Sequence, residues 1–276
     1  MKCDAGSTQN ISRNFSSFSR RSKVRSLLLF LLIMMVLENV DMHQPRTSDR
    51  SHPTDDEIMK VAAATWAVYE HRPGLQYLDI GNDTMEIIGI RQYGPSKCLI
   101  ASSGGKLYIA LRGSQTWEDW QANLSLGYQP LAGGGNAHLG FHRRAAALPL
   151  GALLEEFRPL GFAPADVLVC GHSQGGAVAQ LALALLLLED PANAQIYAGV
   201  RAVGVGAPFF ADAGLAARLA AAGADRALFS VAAASDAVPG ALNVGRSVPA
   251  LVERAEDLER RAVGALRWLG LVSGEG

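Results

Sequence analysis

The sequence predicts an α/β domain, with a mostly parallel central sheet flanked by helices and an antiparallel hairpin portion at one side. Three observations carry that prediction. In the second half, short apolar runs at residues 166–170, 200–206 and 227–233 alternate with a long Ala- and Leu-rich run at 175–188. Strands alternating with helices build a parallel sheet covered on both faces, and its strands read as continuous apolar runs. In the first half, residues 85–92 and 97–102 read as strands, and Gly104-Gly105 offers the positive φ values that a hairpin turn into residues 106–111 requires. Finally, 276 residues at 49% hydrophobic content suffice for one substantial core.

The elements follow in chain order. Residues 1–26 are rich in Ser, Arg and Asn, and run into Leu27-Leu-Leu-Phe-Leu-Leu-Ile-Met-Met-Val-Leu37. A basic stretch before an apolar block is the pattern of a secretory signal or membrane anchor. At 11 residues the block is short of the roughly 20 that a spanning helix needs. Glu38-Asn-Val-Asp41 follows in place of a small-residue cleavage pattern, so a cleaved signal and an uncleaved membrane-associating segment both stay open. The Ser/Arg-rich, acid-poor character also fits a plastid or mitochondrial address. Residues 1–40 are therefore a targeting or anchor segment, 41–53 a polar linker ending at Pro53, and 54–276 the folded domain.

Thr54-Asp-Asp-Glu57 is a capping box, and Ile58, Val61, Ala62, Thr65, Trp66 and Tyr69 then recur at helical spacing. Residues 141–157 form a helix interrupted near Pro149, which cannot continue the backbone ladder. Residues 249–268 form an amphipathic helix rich in Arg and Glu. There is no internal repeat. A net charge of −1, without a basic stripe interleaved with aromatics, excludes nucleic acid as a partner of the folded part. Cys3, Cys98 and Cys170 are an odd number at spacings that suggest neither a disulfide framework nor a zinc site.

The chemistry centres on Gly171-His-Ser-Gln-Gly175, which follows an apolar strand and opens an apolar helix. A serine hydroxyl is a weak nucleophile, and it must be held clear of other groups beside a base, with backbone donors ready for the oxyanion. Flanking glycines permit the sharp strand-to-helix turn that does this. Ser173 is the candidate nucleophile, and the N–H of Gln174 a candidate oxyanion donor. His172 precedes the turn as a packing or orienting group, with the role of base as the alternative.

Further segments occur in order along the chain. Arg112-Gly-Ser114 ends a strand, Gln115-Thr-Trp-Glu-Asp-Trp-Gln-Ala-Asn-Leu124 follows, and then His138-Leu-Gly-Phe-His142, Gly204-Val-Gly-Ala-Pro208 and Ser235-Asp-Ala-Val-Pro-Gly240. Together with the elbow, this set resembles the class 3 lipases, the fungal-type branch of the α/β-hydrolases, over about residues 58–240. The resemblance implies a carboxylic ester hydrolase acting on acylglycerols or glycerolipids through an acyl-serine, needing no cofactor or metal. It implies that Ser114 and Gln174 form the oxyanion hole and that Asp236 is the catalytic acid. On its own residues, without the other motifs, Asp236 reads more readily as a turn residue before Pro239. The family often carries a lid at the stretch holding Trp117, Trp120 and Leu124, which would meet lipid when open; the alternative is that both tryptophans are core. Asp119 reads as a cap or partner of Arg112, and His138 as structural.

One family feature is missing. The family's base is a histidine after the acid, whereas His43, His52, His71, His138, His142 and His172 all precede Asp236. Three readings follow: a domain short at its C-terminus, another histidine in the role, or a catalytically inactive lipid-binding or scaffold relative.

Overall fold

The structure is a computed structural model, which describes residues 52–70, 75–80, 83–113 and 127–232. Ser114, the 115–124 stretch, Asp236, residues 27–37 and the helix expected at 249–268 lie outside the described residues.

Helix α1 (Asp55–Glu70) begins at the capping box. Its N-terminus is closed reciprocally, Thr54 N–H donating to Glu57 Oε2 at 2.8 Å and Glu57 N–H to Thr54 Oγ1 at 3.2 Å. Four strands follow: β1 (Tyr77–Ile80), β2 (Asp83–Tyr93), β3 (Ser96–Ser103) and β4 (Lys106–Leu111). Each pairs antiparallel with the next, and Gly104 and Gly105 turn the chain between β3 and β4 with φ of 58° and 73°. A two-stranded ribbon, β5 (Tyr128–Pro130) and β6 (Asn136–His138), comes next. The helix expected at 141–157 is two helices, α2 (Leu139–Ala146) and α3 (Leu150–Phe157), separated where Pro149 stands. The second half then alternates: β7 (Val167–His172), α4 (Gln174–Glu189), α5 (Pro191–Ile196), β8 (Arg201–Val205), α6 (Ala213–Ala221) and β9 (Leu228–Val231).

The main sheet has seven strands in the order β1-β2-β3-β4-β7-β8-β9. Its β4-β7-β8-β9 part is parallel, so the antiparallel portion lies at one side, as expected. The two-residue period of a strand divides the central side chains between two cores. Leu107, Ile109, Leu111, Val167 and Val169 face a layer that includes Phe141, Leu153 and the apolar length of α4. Tyr108, Ala110, Leu168, Cys170 and Val203 face α1 through Ile58, Val61, Ala64 and Val68. With both faces covered, α4 is apolar almost all round, and twelve of its residues, from Gln174 to Leu187, are buried.

The start of the parallel strands is held by an ion-pair cluster. Arg201, at the start of β8, donates from Nη1 to Glu57 Oε2 at 2.9 Å and from Nη2 to Oε1 at 2.6 Å; Lys106 Nζ lies 3.2 Å from Oε1. Glu57 and Arg201 are 2% and 7% exposed, so this pair is buried. Burial alone would push the Glu57 carboxyl up, but the bonds from Arg201, the Thr54 backbone and Lys106 outweigh it and hold the group at about 2. Helix α1 therefore joins both ends of the sheet: Glu57 sits at the start of the parallel strands, and Tyr69, three turns on, reaches the end of β4.

Candidate active site

Ser173 stands between β7 and α4 with φ 53° and ψ −126°, and is the only non-glycine residue with positive φ among the described residues. An L side chain rarely adopts that conformation, and it persists only where the surroundings over-determine it. Three backbone bonds do so. Ser173 N–H donates to Val205 C=O at 2.9 Å, while its own C=O accepts from Gly176 N–H at 3.0 Å and Ala177 N–H at 3.2 Å.

The neighbouring glycines leave no room for a side chain. A Cβ on Gly171 would lie 2.3 Å from the Gly175 carbonyl carbon, and one on Gly175 would lie 2.2 Å from Leu111 O. A Cβ on Gly176 would lie 2.9 Å from Gly204 Cα. Helix α4 thus begins in direct backbone contact with the ends of β4 and β8, and the first glycine of the 204–208 motif is part of that contact. Because the obstructing atoms are backbone, they cannot rotate away. Gly175→Ala is expected to cost at least the roughly 1–3 kcal/mol typical of overpacking, read as a lowered midpoint of thermal unfolding. An unchanged midpoint would mean that the helix start is not held this closely.

Other side chains set the ends of the strands around Ser173. The Gly113 N–H donates to Tyr69 Oη at 2.9 Å, and burial pushes the tyrosine hydroxyl up to about 12. On the other face, Arg144 of α2 donates from Nη2 to Arg112 C=O at 2.5 Å and from Nη1 to Gln174 Oε1. Gln180, buried in α4, donates from Nε2 to Phe229 C=O at 2.8 Å and to Ser230 Oγ at 3.0 Å. Gly206 N–H donates to Val231 C=O at 2.8 Å, so the end of β9 is fixed at the same edge of the sheet as Ser173. Asp236 follows five residues after that strand.

Three histidines among the described residues have identifiable surroundings. Burial pulls His172 down to about 4, leaving its imidazole neutral near pH 7, and its ring stands edge-on to Tyr69 at 6.4 Å. The His138 ring is buried against Phe141, with centroids 4.2 Å apart, and its backbone N–H donates to Phe210 C=O at 2.9 Å. His142, on α2, is lowered by burial. Among the described residues, no group of three or more His, Cys, Asp or Glu side chains could hold a metal ion.

Of the sequence-predicted site residues, the structure brings Ser173 and Gln174 together at the strand-helix turn. Tyr69, Arg144 and Gln180 are features that sequence reasoning missed. Tyr69 fell on the apolar stripe of α1 and read as core, and nothing in the local pattern around Arg144 distinguishes it from the solvated Arg143. The signal for Gln180 was a lone polar residue inside an apolar helix, where an amide is retained when it has acceptors to satisfy.

A parallel sheet continued by an antiparallel flank, covered on both faces, with a strained serine at a glycine-lined strand-to-helix turn, defines the α/β-hydrolase class. Comparison with known families gives a match to the class 3 lipases over residues 108–245, half of the chain, and the chain belongs to that family. Ser114, Ser173, Gln174 and Asp236 all fall within the matched residues. Among solved structures, the chain is similar to a fungal lipase in complex with an inhibitor, at 21% identity and a TM-score of 0.44, over 59% of this chain and 62% of that one. It is also similar to the Rhizomucor miehei lipase propeptide complex, at 19% identity and TM-score 0.48, over 77% and 76% of the two chains. A triacylglycerol lipase from Penicillium expansum matches at 17% identity and TM-score 0.46, over 69% and 72%. The chain thus spans less than two thirds of the first of these structures. No curated protein matches it.

Proposed function

We propose that the chain hydrolyses carboxylic esters of lipids, acylglycerols or polar glycerolipids, through an acyl intermediate on Ser173. The observation that carries this reading is the strained Ser173 backbone at the glycine-lined turn, in a chain of the class 3 lipase family. Ser173 Oγ attacks the ester carbonyl carbon as its proton passes to a base, and the carbonyl oxygen becomes an oxyanion. The backbone N–H groups of Ser114 and Gln174 receive that charge, and the N-terminus of α4 adds the positive end of its dipole. Collapse expels the alcohol, which takes the proton; water then attacks the acyl-serine, releasing the fatty acid and restoring the hydroxyl. Asp236 orients the base and stabilises it when protonated. In the same proposal, the Trp117 to Leu124 stretch covers the site as a lid, and residues 27–37 associate with a membrane or direct the chain to a secretory or organellar compartment.

The test is hydrolysis of a short-chain and a long-chain acyl ester by the purified chain, with Ser173→Ala and Asp236→Asn beside it. Turnover lost with Ser173→Ala and reduced by Asp236→Asn is the expected result. The base is identified among His138, His142 and His172 by single substitutions to Asn. Turnover that survives Ser173→Ala, or none in the parent chain, overturns the proposal.

A further inference from the structure

The peptide unit joining Arg112 to Gly113 is held at both ends by side chains from opposite faces of the sheet. Its C=O accepts from Arg144 Nη2 at 2.5 Å, and its N–H donates to Tyr69 Oη at 2.9 Å. Arg144 does more than grip that unit. Its Nη1 donates to Gln174 Oε1, and its Nε to Ser96 Oγ at 3.4 Å, while Ser96 Oγ donates in return to the Arg144 C=O at 3.3 Å. The guanidinium therefore bridges Arg112, just past the end of β4 and two residues before Ser114 in sequence, and the first residue of α4.

Arg144 is 9% exposed, and its acceptors among the described residues are uncharged. Removing a cation from water costs several kcal/mol unless hydrogen bonds and charge repay it. A leucine or methionine would serve the apolar interior of α2 without that cost. What a guanidinium supplies and an apolar side chain does not is a rigid planar fork that fixes two acceptors at a set separation.

We propose that Arg144 is a positioning residue for ester hydrolysis. By holding the Arg112 carbonyl and the Gln174 side chain on one fork, it fixes the strand end at Arg112 against the start of α4, and with it the Gln174 backbone N–H that receives the oxyanion. Its charge also gives the surroundings of that donor a fixed positive potential. This inference rests on the Ser173 hydrolase reading above. Preorganised donors act on the transition state rather than on the bound ester, so their misplacement lowers kcat and leaves KM nearly unchanged.

The experiment measures kcat and KM for p-nitrophenyl butyrate with the parent chain, Arg144→Met, Arg144→Lys, Gln174→Leu and the Arg144→Met/Gln174→Leu pair, each checked for a cooperative thermal transition. Arg144→Met is expected to lose about 10–100-fold in kcat with KM within about twofold, less than the loss of a whole oxyanion donor. Arg144→Lys, which keeps the charge but reaches one acceptor, falls between Met and the parent. Gln174→Leu removes one end of the bridge, so the paired variant loses much less than the product of the single losses. A folded Arg144→Met with parent kcat overturns the proposal, as does a loss confined to KM. If Arg144→Met does not fold, Arg144→Lys at parent kcat overturns it equally. Absence of Ser173-dependent turnover in the parent chain overturns the hydrolase reading itself, an outcome seen before any Arg144 variant is assayed.

Discussion

On the proposed function, Ser173→Ala is expected to leave the domain folded and to lower kcat for ester hydrolysis by about 10⁴–10⁶, the scale on which a nucleophile and its base act as a unit. Stability gives a companion result that activity alone does not. With φ at 53°, Ser173 holds a conformation that costs an L side chain roughly 1–3 kcal/mol. Ser173→Gly releases that strain, and the freer unfolded chain takes back about 0.5–1 kcal/mol. The glycine variant is therefore expected to be inactive yet more stable by about 1 kcal/mol, a rise of roughly 2–4 °C in Tm for a domain of this size. Ser173→Ala keeps the β-carbon and with it the strain. A glycine variant that melts below the alanine variant, by the roughly 0.5–1 kcal/mol that glycine costs on its own, would show that the turn stores no strain.

The second large effect lies at the opposite end of the sheet. Glu57→Ala leaves Arg201 buried without its carboxylate, and loss of one partner of a buried pair costs about 3–5 kcal/mol. The unfolding midpoint in urea should fall steeply. Glu57→Leu combined with Arg201→Met removes both charges and should recover much of that loss, because the cost arises from the stranded ion. If the double variant is as weak as the single ones added together, the pair is not coupled. The same group sets an acid limit. Its carboxyl is held at about 2 in the folded chain against an ordinary 4.5, so its contribution is fully present above pH 4.5 and is lost as the pH falls towards 2. An unfolding free energy in Glu57→Gln that falls less steeply across that interval is the expected result, measured by urea titration at successive pH values.

The parts of the fold legible in the sequence were those with a strong local cause. The capping box at Thr54 to Glu57 closes α1 because both of its side chains act within one turn. The β3–β4 hairpin is announced by Gly104-Gly105, and the division near Pro149 by the missing N–H. The ribbon β5–β6 and the helix α6 gave no such signal, since both depend on distant partners. Asp212 caps α6 by accepting from Leu215 N–H at 2.8 Å, and it also accepts from Asn136 N–H at 2.9 Å, 76 positions earlier. At the site, Ser173 and Gln174 were legible because the elbow is contiguous in sequence. Arg144 was not, because its acceptors at residues 96, 112 and 174 come together only through the order of the strands. Glu57 was read as a cap and is also a buried ion-pair partner, a second role visible only once Arg201 arrives 144 positions later.

The glycine seam between α4 and the strand ends has a consequence for how such a site can diversify. Where Gly171, Gly175, Gly176 and Gly204 meet backbone to backbone, no side-chain dimension remains to be enlarged or trimmed. On the proposed reading, in which Ser173 is the nucleophile, that residue is a fixed origin, and the length of acyl chain accepted there can be retuned only by the connections that leave the strand ends. Change in selectivity and preservation of the reacting atom are thus assigned to different parts of the chain.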